Sequence, residues 1–134
     1  MSEDFLPIKG VDHIEIYVGN AKQAAHFYQT GFGYAETAYS GLETGNRQSA
    51  SHVMNQGMIR LVLTASLGPD DPIARHVALH GDGVGVIAMS VPDAASAYLE
   101  STARGATGAI SPTQVEDDNG VLRYSAIRCY GDTI

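Results

Sequence analysis

The chain has 134 residues, 44% hydrophobic and 17% charged, with one Cys, no Trp and a formal charge of −7 from 8 basic and 15 acidic side chains. A chain of this length makes one domain that buries roughly two-thirds of its unfolded surface and needs neither disulfides nor a metal to fold, and the composition argues against disordered, collagen-like and membrane-spanning classes. With an acidic balance and no Lys/Arg cluster, it offers nothing to phosphate backbones or anionic lipid, so neither nucleic acid nor membrane is expected as a partner.

The segment Met1-Ser2-Glu3-Asp4 lacks the basic and apolar regions of a secretory signal, no apolar run approaches the ~20 residues that span a bilayer, and Cys129 has no second cysteine to pair with. A cytoplasmic location is expected. Residues 11–18 (VDHIEIYV) alternate as a strand, with Val11, His13, Glu15 and Tyr17 on one face and Asp12, Ile14, Ile16 and Val18 on the other. Gly19-Asn20 breaks the strand, and Asn20 caps a helix in which Ala21, Ala24, Ala25 and Tyr28 recur at helical spacing until Gly31 or Gly33. Three β-favouring stretches follow near 34–39, 48–54 and 58–65. The last two are joined by Asn55-Gln56-Gly57 as a hairpin. Residues 71–80 carry a weak helical period between Pro- and Gly-rich turns, and could join two halves.

The second half repeats the first. Val18-Gly19-Asn20-Ala21 is echoed by Val91-Pro92-Asp93-Ala94, and Asn55-Gln56-Gly57-Met58-Ile59-Arg60 by Asp118-Asn119-Gly120-Val121-Leu122-Arg123, in the same order. A strand at 85–91, a helix at 94–103 capped by Asp93, and strands near 107–110, 114–115 and 121–129 make a second β-α-β-β-β unit. Replacing Asp93 by Ala should then cost the stability of one N-cap. One helix cannot cover four strands on both faces, so two such units are expected to face each other as an α+β half-barrel whose concave interior could hold a ligand.

Paired βαβββ modules resemble the vicinal-oxygen-chelate superfamily, also described as glyoxalase-like, bleomycin-resistance and extradiol-dioxygenase proteins. The stretches VGNAKQAAHFY (18–28), AYSGLETGNRQSASHVMNQG (38–57), IRLVLTAS (59–66), HVALHGDGV (76–84) and AIRCYGDTI (126–134) further resemble the amino-terminal domain of the 4-hydroxyphenylpyruvate dioxygenase family, to which 4-hydroxymandelate synthases are related. The resemblance implies one amino-terminal domain over 1–134, with modules at about 11–66 and 84–134. It also implies a parent oxidoreductase of tyrosine catabolism that converts 4-hydroxyphenylpyruvate and O2 to homogentisate and CO2. Fe(II) would be held by two histidines and a glutamate of a carboxy-terminal catalytic domain absent from this chain, leaving positions for a 2-oxo acid and O2. That catalytic domain and further copies of the chain are the implied partners. A domain of a 4-hydroxymandelate synthase and a stand-alone glyoxalase-like ligand-binding module remain alternatives.

In the superfamily, metal ligands sit on the first and last strands of each module. The resemblance puts His13 at the first position, but its counterpart in the second module is Val86, and Arg60-Leu61-Val62-Leu63-Thr64 offers no carboxylate or imidazole. The matching Glu of the second module would fall at or beyond Ile134. No catalytic, cofactor-binding or metal residue is therefore assigned, and the chain alone is expected to be inactive and iron-free. Glu15, on the face of His13, is expected to pair with it by a hydrogen bond. His26 reads as a partly exposed helix residue. His76 and His80, four apart, read as linker packing, since they lack the Glu of a zinc motif and a third ligand. Gly81-Asp82-Gly83 reads as a turn and Cys129 as an inert strand thiol. Asp132-Thr133-Ile134 looks like the entrance to a closing strand. A sheet edge left open there would make the chain self-associate, most simply as a two-fold dimer.

Overall fold

A computed structural model describes residues 4–134. Met1, Ser2 and Glu3, part of the segment read as lacking a secretory signal, lie outside the described residues. The fold is α+β, and the chain divides into two compact units: Asp12–Ala88, and the residues up to Val11 together with Met89–Ile134.

The first unit runs β1 (Gly10–Tyr17), α1 (Ala21–Phe32), β2 (Ala35–Ser40), β3 (Ser49–Gln56), β4 (Ile59–Ser66), α2 (Pro72–His80) and β5 (Gly83–Ser90), the expected β-α-β-β-β followed by the linking helix. Its sheet has the order β2-β3-β4-β1-β5, with β1 parallel to β4 and the pairs β2/β3 and β3/β4 antiparallel. The two-residue connection Gly57-Met58 closes the β3/β4 hairpin, with Gln56 opposite Ile59. Asn20 stands outside α1 in an extended conformation, and its side-chain oxygen accepts a hydrogen bond from the Gln23 N–H at 3.0 Å. At the far end Gly33 adopts φ 77°, a left-handed conformation open to glycine at no steric cost, and its N–H closes the last turn.

Alternation decides what α1 covers. Ile14 and Ile16 of β1 share a face with Leu61, Leu63 and Ala65 of β4 and with Met54 of β3. Ala21 and Ala25 of α1 pack on that face, around fully buried Met54 and Leu63. His13, Glu15 and Tyr17 therefore point to the opposite face, as the strand pattern requires. At the end of β1 the Tyr17 ring occupies the space beside Gly85 of β5, where any Cβ would collide with the ring.

In the second unit α3 (Ala94–Ala103) packs on the antiparallel pair β6 (Gly108–Asp117) and β7 (Gly120–Ile127). Asp93 caps α3 as expected, accepting from the Ser96 N–H at 2.6 Å, and that bond holds its carboxyl below the ordinary value. Three expectations are corrected here. The strands placed at 107–110 and 114–115 are one ten-residue strand, because the gap left between them, which holds Pro112, falls at a register irregularity between Ile110 and Thr113 where a missing N–H is tolerated. Strand β7 stops at Ile127, not Cys129. Asp132-Thr133-Ile134 is a turn rather than a strand entrance, since Thr133 donates its N–H to the Tyr130 carbonyl and returns its own carbonyl to the Cys129 N–H.

Candidate functional site

The face of the first unit turned away from α1 carries the first-strand position of interest. His13 is not joined to Glu15. Its Nδ1 lies 2.7 Å from Asp12 Oδ2, and Arg60 reaches the same carboxylate at 3.3 Å from the neighbouring strand. The hydrogen bond with His13, reinforced by its charge and that of Arg60, holds the Asp12 carboxyl below its ordinary value. Two residues along a strand separate side chains by about 6.6 Å, so both members of the expected His13–Glu15 pair find nearer partners.

Glu15 looks across the sheet instead. Thr64, only 2% exposed, donates its hydroxyl to Glu15 Oε1 at 2.7 Å, and the Ser51 hydroxyl stands 2.9 Å from the Thr64 oxygen. A hydroxyl has one hydrogen to give. Since Thr64 spends it on Glu15, Ser51 is the donor to Thr64, and a directed chain runs Ser51 to Thr64 to Glu15 across β3, β4 and β1. Tyr17 follows on the same face. Its ring meets His76 of α2 edge-on at 5.1 Å, and burial, with the negative charge of Glu15 and Asp71, raises the tyrosine above its ordinary value.

This arrangement suits hydrogen bonding and does not suit a metal. Val86 of β5 has no donor atom, and among the described residues no three His, Cys, Asp or Glu side chains converge to hold an ion. The residues present therefore do not fit Fe(II).

The remaining candidates are dispersed. His26 is exposed on α1. His76 and His80 pack ring to ring at 4.8 Å, and His76 wedges against Tyr17, so the spacing of four serves packing. Asp82, read only as part of a turn, does more: its carboxylate accepts the Gly19 N–H at 2.9 Å and pins the β1–α1 connection from 63 residues away. Cys129 is exposed and unbridged. No helix of the described residues is long and apolar enough to cross a membrane.

Comparison with known proteins gives these features a context. The family model described as Glyoxalase/Bleomycin resistance protein/Dioxygenase superfamily matches residues 10–128. The chain is 43% identical over 128 residues to a 4-hydroxyphenylpyruvate dioxygenase of Dictyostelium discoideum, covering 94% of this chain and 35% of that protein. It is 40% identical over 147 residues to a 4-hydroxyphenylpyruvate dioxygenase of Aspergillus fumigatus, covering 99% and 36%. The chain thus spans about a third of the length of the curated relatives it matches, in their amino-terminal part. Among solved structures, a variant of 4-hydroxymandelate synthase from Streptomyces coelicolor superposes with a TM-score of 0.88 at 28% identity, over 96% of this chain and 37% of that one. Methylmalonyl-CoA epimerase from Mycobacterium tuberculosis shares the fold at a TM-score of 0.75 and 18% identity, over 96% and 83%.

Proposed function

The chain belongs to the Glyoxalase/Bleomycin resistance protein/Dioxygenase superfamily, and from that membership we propose that it is the amino-terminal, non-metal-binding domain of a 4-hydroxyphenylpyruvate dioxygenase. The observation that carries this reading is the 43% identity over 94% of the chain to an enzyme of that name of which it spans 35%. In this reading 1–134 is one domain with modules at about 11–66 and 84–134. The parent converts 4-hydroxyphenylpyruvate and O2 to homogentisate and CO2 at Fe(II) held by a carboxy-terminal domain. This domain's own residues supply no iron ligand and no catalytic group. The directed chain from Ser51 to Glu15 and the Asp12–His13–Arg60 cluster tie β1 to β4 and β3, which keeps a sheet face with few large apolar side chains rigid. A 4-hydroxymandelate synthase parent is the second reading, favoured by the TM-score of 0.88.

The partners in this reading are the catalytic domain of the same polypeptide and further copies of the protein. Strands β6 and β7 pair only with each other among the described residues, which supports association through a sheet edge. The exposed, unbridged Cys129 supports a cytoplasmic location. Mass spectrometry of the endogenous protein, denatured and native, tests both parts. The expected polypeptide is well over twice 14.2 kDa and assembles as more than one copy. A native polypeptide of 14.2 kDa would overturn the domain reading, and a monomer would overturn the oligomer. Incubating the same protein with 4-hydroxyphenylpyruvate separates the two parents by product, homogentisate or 4-hydroxymandelate.

A further inference from the structure

The second half of α1 turns aromatic rings outward. Phe27, Tyr28 and Phe32 lie 5.5 to 6.0 Å from one another, centroid to centroid, and Tyr34, just past the helix, meets Tyr28 edge-on at 5.7 Å. Tyr28 and Tyr34 pack inward on the core of Ala25, Met54 and Leu63. Phe27 stands about 100° round the helix from Tyr28 and cannot follow it, so Phe27 and Phe32 remain 59% and 57% exposed. The β3/β4 hairpin extends the patch. Gln56 donates its side-chain N–H to the Phe32 carbonyl, and its register partner Ile59 is 54% exposed next to Met58, which is fully exposed at the turn.

Two rings more than half exposed, together with Met58 and Ile59, present on the order of 500 Å² of apolar surface, at the upper end of what a monomer shows. The patch is also free of charge. No Asp, Glu, Lys or Arg occurs in 23–35 or 48–59, the segments that supply it, although the chain holds 8 basic and 15 acidic side chains. A nucleic acid needs cations and a basic partner needs carboxylates, and the patch offers neither. Two copies of a chain with a formal charge of −7 repel each other, and they meet at least cost on surface that carries no charge. A two-fold contact sets the patch against itself, so one surface covers the other. With an uncharged, exposed rim of Gln29, Thr30 and Gln56 the area approaches the roughly 800 Å² per partner of a stable dimer.

We propose that Phe27, Phe32, Met58 and Ile59 form a homodimer contact, in which a second copy of this chain docks the same four residues about a two-fold axis. Phe27 and Phe32 are its anchors, since aromatic side chains and Met concentrate at the centres of interfaces and carry most of their binding energy. The inference rests on the reading that further copies of the protein are its partners, and it names a contact on the first unit rather than the β6/β7 edge.

The test is sedimentation equilibrium of the 134-residue chain from micromolar to millimolar concentration, with amide chemical shifts followed over the same series. The expected result is a monomer–dimer equilibrium in which the amides of Phe27, Phe32, Met58 and Ile59 shift with concentration. Phe27→Glu and Met58→Glu bring carboxylates into the contact from both copies, and each should weaken dimerisation by about tenfold or more. Both side chains are exposed, so the variants should keep the native spectrum. Leu122→Glu, on exposed β7, should leave the dimer unchanged. A dimer that survives both first-unit substitutions but is lost in Leu122→Glu would overturn this contact and leave the oligomer reading intact. A chain that stays monomeric at millimolar concentration would also overturn the contact, and native mass spectrometry of the endogenous protein then decides the oligomer reading separately. So would a monomer that binds neutral phosphatidylcholine vesicles through the same residues.

Discussion

Leu63→Ala is expected to lower the stability of the chain by about 2–5 kcal/mol, the range for truncating a fully buried leucine. Leu63 is 0% exposed in the middle of β4 and forms a core cluster with Met54 and Ala25. The loss should fall in the upper half of that range. The cost depends on how far the neighbours can close the void, and those on α1 include Ala24 and Ala25, which have no length to reach into it. Leu63→Met, which nearly conserves volume, should cost less than about 1.5 kcal/mol. Denaturant unfolding of both variants checks the pair. A cost below about 1 kcal/mol for the alanine variant would contradict the position of the core.

Thr64→Val is the second large effect, expected at about 1–3 kcal/mol with no cavity formed, because the two side chains have nearly the same shape. The cost comes from Glu15, whose carboxylate loses its donor at 2.7 Å and faces a methyl group on a part-buried face. Ser51 loses its acceptor as well. Thr64→Ser keeps the hydroxyl and should recover most of the hydrogen-bond contribution. A double-mutant cycle with Glu15→Ala should give a combined loss smaller than the sum of the two single losses. Additive losses would show that the hydroxyl and the carboxylate do not interact.

Local chemistry made the first half legible in the sequence. The alternation of β1, the Asn20 cap and a β3/β4 hairpin are written within a few residues of one another; the first two are found where they were expected, and the hairpin turns at Gly57-Met58, with Asn55 and Gln56 of the expected connection drawn into β3. The long strand β6 was hidden by Pro112, because a proline marks a break locally while an edge or irregular position in a sheet absorbs it. The site was less legible because its bonds are non-local. Glu15 and Thr64 are 49 residues apart and Gly19 and Asp82 are 63 apart, so strand alternation shows which face a side chain takes but not what it meets. That is why Glu15 read as a partner for His13. The contacts of His52 with Glu36 and Tyr39 left a faint trace, an imidazole on the face that otherwise carries Met54 and Leu63. Without the register of β2 against β3, nothing joined that histidine to Glu36 and Tyr39.

In the proposed reading this domain does not hold the iron of its parent enzyme. This rests on Val86 lacking a donor atom and on the described residues offering no convergent set of three His, Cys, Asp or Glu side chains. The direct measurement loads the 134-residue chain with Fe(II) under anaerobic conditions, removes unbound metal, determines iron per chain, and then follows oxygen uptake on addition of 4-hydroxyphenylpyruvate. The expected result is far less than one iron per chain and no uptake above that of free Fe(II). Stoichiometric iron, abolished by His13→Ala, together with turnover of 4-hydroxyphenylpyruvate, would contradict the account.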